Sequence, residues 1–412
     1  MINDIRTEEK TDIVQMIRDG NVQSCFQPIV SIAKKTIVGL EGLIRGVTGK
    51  PGEYVSPLEL FETAERYDMT IELDRLCRWK TIGAFSEYYY RNTDYMLFLN
   101  IDSSVIDRAV GSDYLLMQTK EYGINPERVI IEINESKVTN TDTLVDFVKR
   151  YKSYGFLIAV DDLGTGFSNL DRVTMIRPEI IKIDRQLVSN LNRILYKQEV
   201  FKSIINLANR IGALVIAEGV EQIGEVLSAL EFGSHLQQGY YFSKPLFPSA
   251  DVKLIPSLIM EEAMKNYRSY MKGKAKVQRG VISGMNFVLD GIYKLFCEAD
   301  CGQFDELLEN VVNSNRGIEC AYILDGNGLQ VSETVCLKYC NNRKDSLYKP
   351  ASRGFDHSSK KYYYELIYAR MNKYITEPYT SLASGSRCIT ISKVFRDSAN
   401  RRFVLCLDFV DI

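Results

Sequence analysis

The sequence predicts an α/β fold: a TIM-type (β/α)8 barrel followed by a smaller α+β domain. Two observations predict the barrel. Eight strand-like apolar runs lie between residues 26 and 242, most separated by helical patterns. Polar residues, many of them acidic, recur at or just past the C-terminal ends of those runs, where such barrels carry their sites. A third observation marks the second domain. Only Cys25 and Cys77 lie in the first half, whereas seven cysteines follow residue 296, and the pattern turns to β after Gly317.

The chain has 412 residues, enough for two or three domains, and 45% are apolar. A net charge of −2 offers no whole-chain argument for a nucleic-acid polymer as partner, so any nucleotide must be held by a local site. The opening MINDIRTEEKTD is neither a signal peptide nor an anchor, and no apolar run nears the ~18 residues of a bilayer span. A soluble, cytoplasmic protein without membrane insertion is expected. Its nine cysteines are expected to be thiols.

In chain order, residues 7–19 read as a short helix stopped by Gly20. Phe26 to Ile32 and Thr36 to Arg45 read as a hairpin turning at Ala33-Lys34-Lys35. One helical region starts near Pro57, buries Phe61, Ala64, Ile71, Leu73 and Leu76, and runs to about Tyr90. Six further strands follow at Met96–Ile101, Val129–Ile133, Phe156–Val160, Ile180–Ile183, Leu214–Ala217 and Gly239–Phe242. The helix from Asp142 places Leu144, Phe147, Val148, Tyr151 and Tyr154 on one face and stops at Gly155. Another helix spans 186–211, with Gly212 after it.

The strand ends carry Glu41 and Arg45, Asn100, Glu132 with Glu135, Asp161 with Asp162, Lys182 with Asp184, Glu218 with Glu221, and Gln238. Each alone reads as a cap facing solvent. Together they would form a ring of like charge that repels unless cations neutralise it. The set is rich in oxygen and lacks histidine and cysteine, which favours Mg²⁺, Mn²⁺ or Ca²⁺ over zinc or copper. Alternation along its strand leaves Lys182 open to an ion pair with Asp184 as well as to the ring.

The motifs FQPIV at Phe26, EGLIR at Glu41, FLNI at Phe98, EINES at Glu132, DDLGTGFSNL at Asp161, IKID at Ile181, AEGVE at Ala217 and QGYYFSKPL at Gln238 resemble the EAL family of cyclic di-GMP phosphodiesterases, over roughly residues 20–248. Gly42 stands where that family has alanine, and a backbone effect alone is expected from it. Leu163 replaces the usual phenylalanine of the loop, and His235 stands where aspartate is frequent. The resemblance implies a barrel with its first strand antiparallel and hydrolysis of cyclic di-GMP to linear pGpG with two ions, Mg²⁺ or Mn²⁺. It implies Glu41, Asn100, Glu132 and Asp161 as ligands of one ion, and Asp161, Asp162 and Glu218 at the second. It implies Lys182 as the residue that orients water and assists its deprotonation. It implies Gln27, Arg45, Gln238 and Pro245 as substrate contacts. Glu135, Gly164 and Thr165 resemble the residues that hold the loop after Asp162. A lysine beside two cations is expected to hold its proton less tightly.

Three segments are expected: a barrel over 1–248, a helical linker over 249–279 and a sensory or dimerisation domain over 280–412. The linker stripe is Ile255, Leu258, Ile259 and Ala263, and Lys272, Lys274, Lys276 and Arg279 read as a solvated face. Cys320–Leu324 and Leu329–Val331 flank the turn DGNG as a hairpin. Ile389 and Ile391 begin a strand that turns at Ser398–Arg401 into Phe403–Phe409. This end of the chain resembles PAS-like or Cache-type sensor domains, which identifies no ligand. The pairs Cys297/Cys301 and Cys336/Cys340 read as small buried residues, with metal or redox sensing as the alternative. His235 and His357 read as structural. The leading reading is a homodimeric enzyme regulated by an unknown small-molecule signal. The alternative is a receptor that holds cyclic di-GMP without turnover, for which Lys182 and Asp162 would be unnecessary.

Overall fold

The computed structural model describes residues 14–48, 53–108, 111–134, 140–163, 170–248, 254–337 and 347–410. The chain divides into two compact units, Met1–Gly273 and Lys274–Ile412.

In the first unit, β1 (Val22–Ser31) and β2 (Thr36–Val47) form an antiparallel hairpin, its turn using a left-handed Lys35 at φ 53°. The two-residue β3 (Tyr54–Val55) adds to the edge of β2. From β2 onward the strands run parallel: β4 (Met96–Ile101), β5 (Val129–Asn134), β6 (Leu157–Leu163), β7 (Ile180–Ile183), β8 (Leu214–Ala217) and β9 (Leu236–Gln237). β9 pairs antiparallel with β1, so eight strands close into a barrel by hydrogen bonds with β1 reversed against both neighbours.

Three elements differ from expectation. The last strand is Leu236–Gln237, not Gly239–Phe242. A Cβ at Gly239 would sit 2.1 Å from the Val220 carbonyl oxygen, so the chain turns there against another backbone rather than extending. The long helix after Pro57 is two, Pro57–Arg66 and Thr70–Arg91, broken where Asp68 adopts φ 54°. The predicted 186–211 helix is likewise two, Arg185–Val188 and Leu195–Ile211, interrupted by Asn190 at φ 58°. The helix Thr141–Ser153 begins on Asn140, whose side chain accepts from the Asp142 and Thr143 amides, and Gly155 follows it at φ 97°.

The outer core lies between strands and helices, with Leu97, Ile131, Val160 and Ile181 facing Phe85, Val148 and Phe201. Met260 and Ala263, from the helix Leu254–Glu298, belong to the same core, whereas Leu258 of the expected stripe is exposed. A buried pair, Arg78 to Asp74 at 2.6 Å, also anchors the end of β4, because Asp74 accepts from the Asp102 amide.

In the second unit a sheet runs β11 (Val335–Cys336), β10 (Ile318–Asp325), β15 (Arg402–Val410), β14 (Arg387–Arg396), β12 (Lys373–Ile375), with β13 (Tyr379–Thr380) also on β14. All the pairings are antiparallel. One face packs Ile323, Phe395 and Leu405 against Leu289, Phe296 and Leu308. The other packs Leu324, Val404 and Cys406 against Tyr362 and Leu366 of the helix Lys361–Tyr368. Two of the cysteines are not thiols: Cys320 and Cys336 form a disulfide, since antiparallel register sets them directly opposite with Cα atoms 4.1 Å apart. Cys297 and Cys301 are free and partly buried, and Cys340 lies outside the described residues.

Asp408 of β15 and His357 are buried titratable groups of this unit. Burial pushes the Asp408 carboxyl up to about 7, with Thr390 donating to it and Glu319 nearby. A carboxyl raised by folding stabilises fully below the ordinary aspartate range, and that contribution is lost as pH rises through about 7. His357, held down to about 4 chiefly by burial, acts oppositely: its contribution is present above its ordinary 6.5 and lost as pH falls through about 4. Asp408→Asn keeps an acceptor for Thr390 and removes the ionisation. The variant should gain about 3–4 kcal/mol relative to the parent between pH 4 and pH 8. Chemical unfolding at both values checks this, and parallel pH dependences would contradict it.

Candidate active site

The barrel interior is built in two layers. The lower is apolar and comprises Ile29, Phe98, Ile130, Ala159, Ile180, Ile216 and Leu236. Side chains alternate along a strand, so the residue two positions further toward the C-terminal mouth lies on the same side. Those residues are Asn100, Glu132, Asp161, Lys182, Glu218 and Gln238. In β1, which runs backward, the corresponding residue is Gln27. A floor of apolar side chains thus carries a ring of polar ones, and Glu41 of β2 joins the ring.

Lys182 is at its centre, 1% exposed. Its Nζ lies 2.6 Å from Glu132 Oε1, 2.7 Å from Glu218 Oε1, 3.4 Å from Asp161 Oδ1 and 3.7 Å from Glu41 Oε1. The Asp184 pairing is not formed; Asp184 instead caps the helix Arg185–Val188 by accepting from the Gln186 amide at 2.7 Å. Glu221 also leaves the ring and pairs with Arg185 at 2.8 Å. Asn100 donates to Glu41 Oε1 at 3.0 Å, and Gln238 donates to Glu41 Oε2 and to Gln27 Oε1. Gln27 donates in turn to the Ser243 carbonyl at 3.0 Å, tying the ring to the segment before Pro245. Arg45, half-buried on β2, donates to the Ile44 carbonyl. Glu135, Gly164 and Thr165 lie outside the described residues.

Simple alternation would send Asp161 and Asp162 to opposite faces. The β6–β7 register shifts between Val160 and Leu163, and Asp162 takes φ 59°. This bulge turns both carboxylates toward the mouth, where Asp161, Asp162 and Glu218 each offer an oxygen within 4.8 Å of the others. Asn134, not singled out from the sequence, donates to Asp162 Oδ2. Its signal was present: it stands two residues after Glu132, hence on the same face, and pairs in register with Asp161.

The electrostatics are those of an excess of acid. Burial pushes the Glu132 and Glu218 carboxyls well above their usual range despite Lys182, and the neighbouring carboxylates add to it. Burial, Asp161 and Asp184 raise Asp162 to about 6. For Glu41, Lys182 and the bonds from Gln238 and Asn100 outweigh burial and hold the carboxyl low. Burial opposes the Lys182 ammonium, but Asp161, Glu132, Glu218 and Glu41 outweigh it, so the proton is held more tightly than usual. The weaker hold expected beside two cations is therefore not a property of these residues alone. Neither Glu132 oxygen receives a hydrogen bond of regular geometry among the described residues. Four carboxylates around one ammonium, with Asp162 beside them at the mouth and Glu132 Oε2 buried without a hydrogen bond, fit divalent cations.

Gly42 has a packing reason. A Cβ there would lie 2.2 Å from Thr81 Cγ2, and Thr81 is fixed by its hydroxyl contact with Ser24 at 3.0 Å. Gly42→Ala should cost about 1–3 kcal/mol through overpacking. Adding Thr81→Ser, which keeps the hydroxyl and removes the methyl, should recover most of it. Thermal unfolding of the single and double variants decides, and an unchanged single variant would contradict the clash. His235 is structural, its Nδ1 accepting from the Val215 amide at 3.0 Å.

A closed barrel with an acidic, lysine-centred ring at the C-terminal mouth defines an α/β-barrel protein equipped for oxygen-ligated cations. The EAL domain model matches residues 10–245, more than half of the chain, and the protein belongs to the EAL-domain family. It is 30% identical over 239 residues, 57% of each chain, to the EAL-domain protein YkuI of Bacillus subtilis. The structure of YkuI in complex with substrate c-di-GMP and calcium superposes with a TM-score of 0.81 at 23% identity, covering 97% of this chain and 98% of that one, a likeness of fold. A probable cyclic di-GMP phosphodiesterase of Escherichia coli, PdeB, is 28% identical over 54% of this chain and 42% of its own. The calcium and cyclic di-GMP complex of BlrP1 from Klebsiella pneumoniae matches at TM-score 0.51 and 29% identity, over 56% of this chain and 57% of that one. The chain spans about half the length of the curated relatives it matches. No helix among the described residues is long and apolar enough to cross a membrane.

Proposed function

We propose that the barrel hydrolyses one phosphodiester of cyclic di-GMP to give linear pGpG. The observation that carries this reading is the ring in which Lys182 is bracketed by Glu41, Glu132, Asp161 and Glu218 above an apolar floor. Glu41, Asn100, Glu132 and Asp161 would hold one Mg²⁺ or Mn²⁺, and Asp161, Asp162 and Glu218 a second. Cations bound there would neutralise phosphate charge and make a coordinated water acidic.

The chain's own residues supply the rest. Lys182, a donor already placed between Glu132 and Glu218, would orient the attacking water and, where cations beside it weaken the hold on its own proton, assist the water's deprotonation. Gln238 and Gln27 form one hydrogen-bonded run from Glu41 to the Ser243 carbonyl and hold the substrate side of the mouth with Pro245. Arg45 can present a two-pronged guanidinium to a phosphate oxygen. The second unit is read as a PAS- or Cache-like sensor that regulates turnover in a homodimer in the cytoplasm.

The experiment is product analysis of purified protein with cyclic di-GMP. Linear pGpG should accumulate with Mg²⁺ or Mn²⁺ and much less with Ca²⁺, whose coordination is longer and looser. Binding without product under every ion would favour a receptor instead.

A further inference from the structure

The second unit has a half-open cavity of about 990 Å³ between its sheet and the segments 347–362 and 374–383. Its walls include Tyr322, Tyr362, Tyr374, Tyr379, Phe355 and His357, and Asp408 lines it from β15. Asp408 is 2% exposed, and the one hydrogen bond given to it among the described residues comes from Thr390 Oγ1 at 2.7 Å.

The directions of the hydrogen bonds around the cavity can be assigned. Thr390 has a single hydroxyl hydrogen and donates it to Asp408, so Tyr379, 2.7 Å from Thr390 Oγ1, must donate to Thr390. Gln330 uses its amide nitrogen toward the Ser332 and Ala351 carbonyls and Thr334, which leaves its Oε1 as acceptor. His357 Nε2, 2.9 Å from that oxygen, therefore carries the proton, and Nδ1 accepts from the Tyr362 hydroxyl at 2.7 Å. Both tyrosines have spent their hydrogens on protein partners. Beside Asp408, Thr390 and Tyr379 therefore present oxygen lone pairs, among aromatic faces that attract cations, and Glu377 is a second carboxylate of the lining.

We propose that this cavity binds a small molecule through a protonated amino group seated against Asp408. A cation with N–H donors satisfies the acceptor oxygens and aromatic faces around Asp408, whereas an anion or a neutral apolar ligand leaves that buried carboxyl without a partner charge when it ionises. Lys349, Lys360 and Lys361 also line the cavity and suit an acidic group on the same molecule. The proposal deepens the sensor reading of the second unit by naming the chemistry of its signal.

The test is isothermal calorimetry on the full chain with phenethylamine and with phenylalanine, which separate a plain amine from a zwitterion. Their N-acetyl derivatives, which lack the charge, serve as controls. At least one of the two charged probes should bind at one site per chain, and neither acetylated form should. Asp408→Asn should weaken that binding about tenfold or more. Phe355→Ala, at a half-exposed wall residue, should weaken it several-fold and guards against misfolding of the first variant. No binding by either charged probe, equal binding after acetylation, or unchanged affinity in Phe355→Ala or in folded Asp408→Asn overturns the proposal. Binding is read without turnover, so an inactive barrel would overturn the hydrolase reading alone and a silent cavity this proposal alone.

Discussion

Lys182→Met should lower turnover of cyclic di-GMP roughly 10²–10⁴-fold, the scale of losing a positioned proton donor or charge stabiliser. The methionine fills the same buried volume, so packing is largely kept. The charge is not. Glu132, Glu218, Asp161 and Glu41 now share one ammonium, and without it they face each other in a buried site. Removing one partner from such a cluster costs about 3–5 kcal/mol. The metal-free variant should therefore unfold at a clearly lower temperature than the parent, and Mg²⁺ or Mn²⁺ should restore more stability to it than to the parent. A role confined to packing would leave turnover within a few-fold and the metal response unchanged. Steady-state kinetics together with melting curves at several metal concentrations distinguish the two.

Asp162→Asn should lower kcat by roughly 10²-fold or more while leaving substantial substrate affinity, because a group used chiefly in the transition state is lost. The choice of asparagine follows from the backbone. Residue 162 sits at φ 59° in the bulge that turns both acids inward, and asparagine and aspartate tolerate that conformation better than other side chains with a Cβ. Asp162→Asn thus changes charge at constant backbone. Asp162→Val should add a loss of stability, since a β-branched residue resists a positive φ. If the asparagine variant turns over like the parent, Asp162 is only a turn residue.

Much of the first unit was legible because two periodicities coincide in it. Each strand reads apolar at one position and polar two later, as in Phe98 and Asn100 or Ile130 and Glu132, so one pattern shows both floor and ring. The pattern failed where backbone conformation overrode it. GYYF has strand composition, but Gly239 must pass against the Val220 backbone. Asp68 and Asn190 interrupt helices through a left-handed residue that periodicity does not register. The reason for Gly42 lies in Thr81, 39 positions away, whose methyl occupies the space of an alanine. The Cys320–Cys336 pairing depends on strand register, which a spacing of 16 residues does not reveal. The cavity of the second unit was invisible for a similar reason: its lining is scattered from Tyr322 to Asp408 and converges only when β13, β14 and β15 are assembled.

The most direct test of the account is metal removal and return. Protein stripped with EDTA and freed of chelator is incubated with cyclic di-GMP, and linear pGpG is followed by chromatography before and after Mg²⁺ or Mn²⁺ is restored. Product formation should be near background in the stripped protein and return with either ion in the parent, but remain low in Lys182→Met. Equal rates with and without metal, or full activity in Lys182→Met, would contradict a cation-loaded ring organised around Lys182.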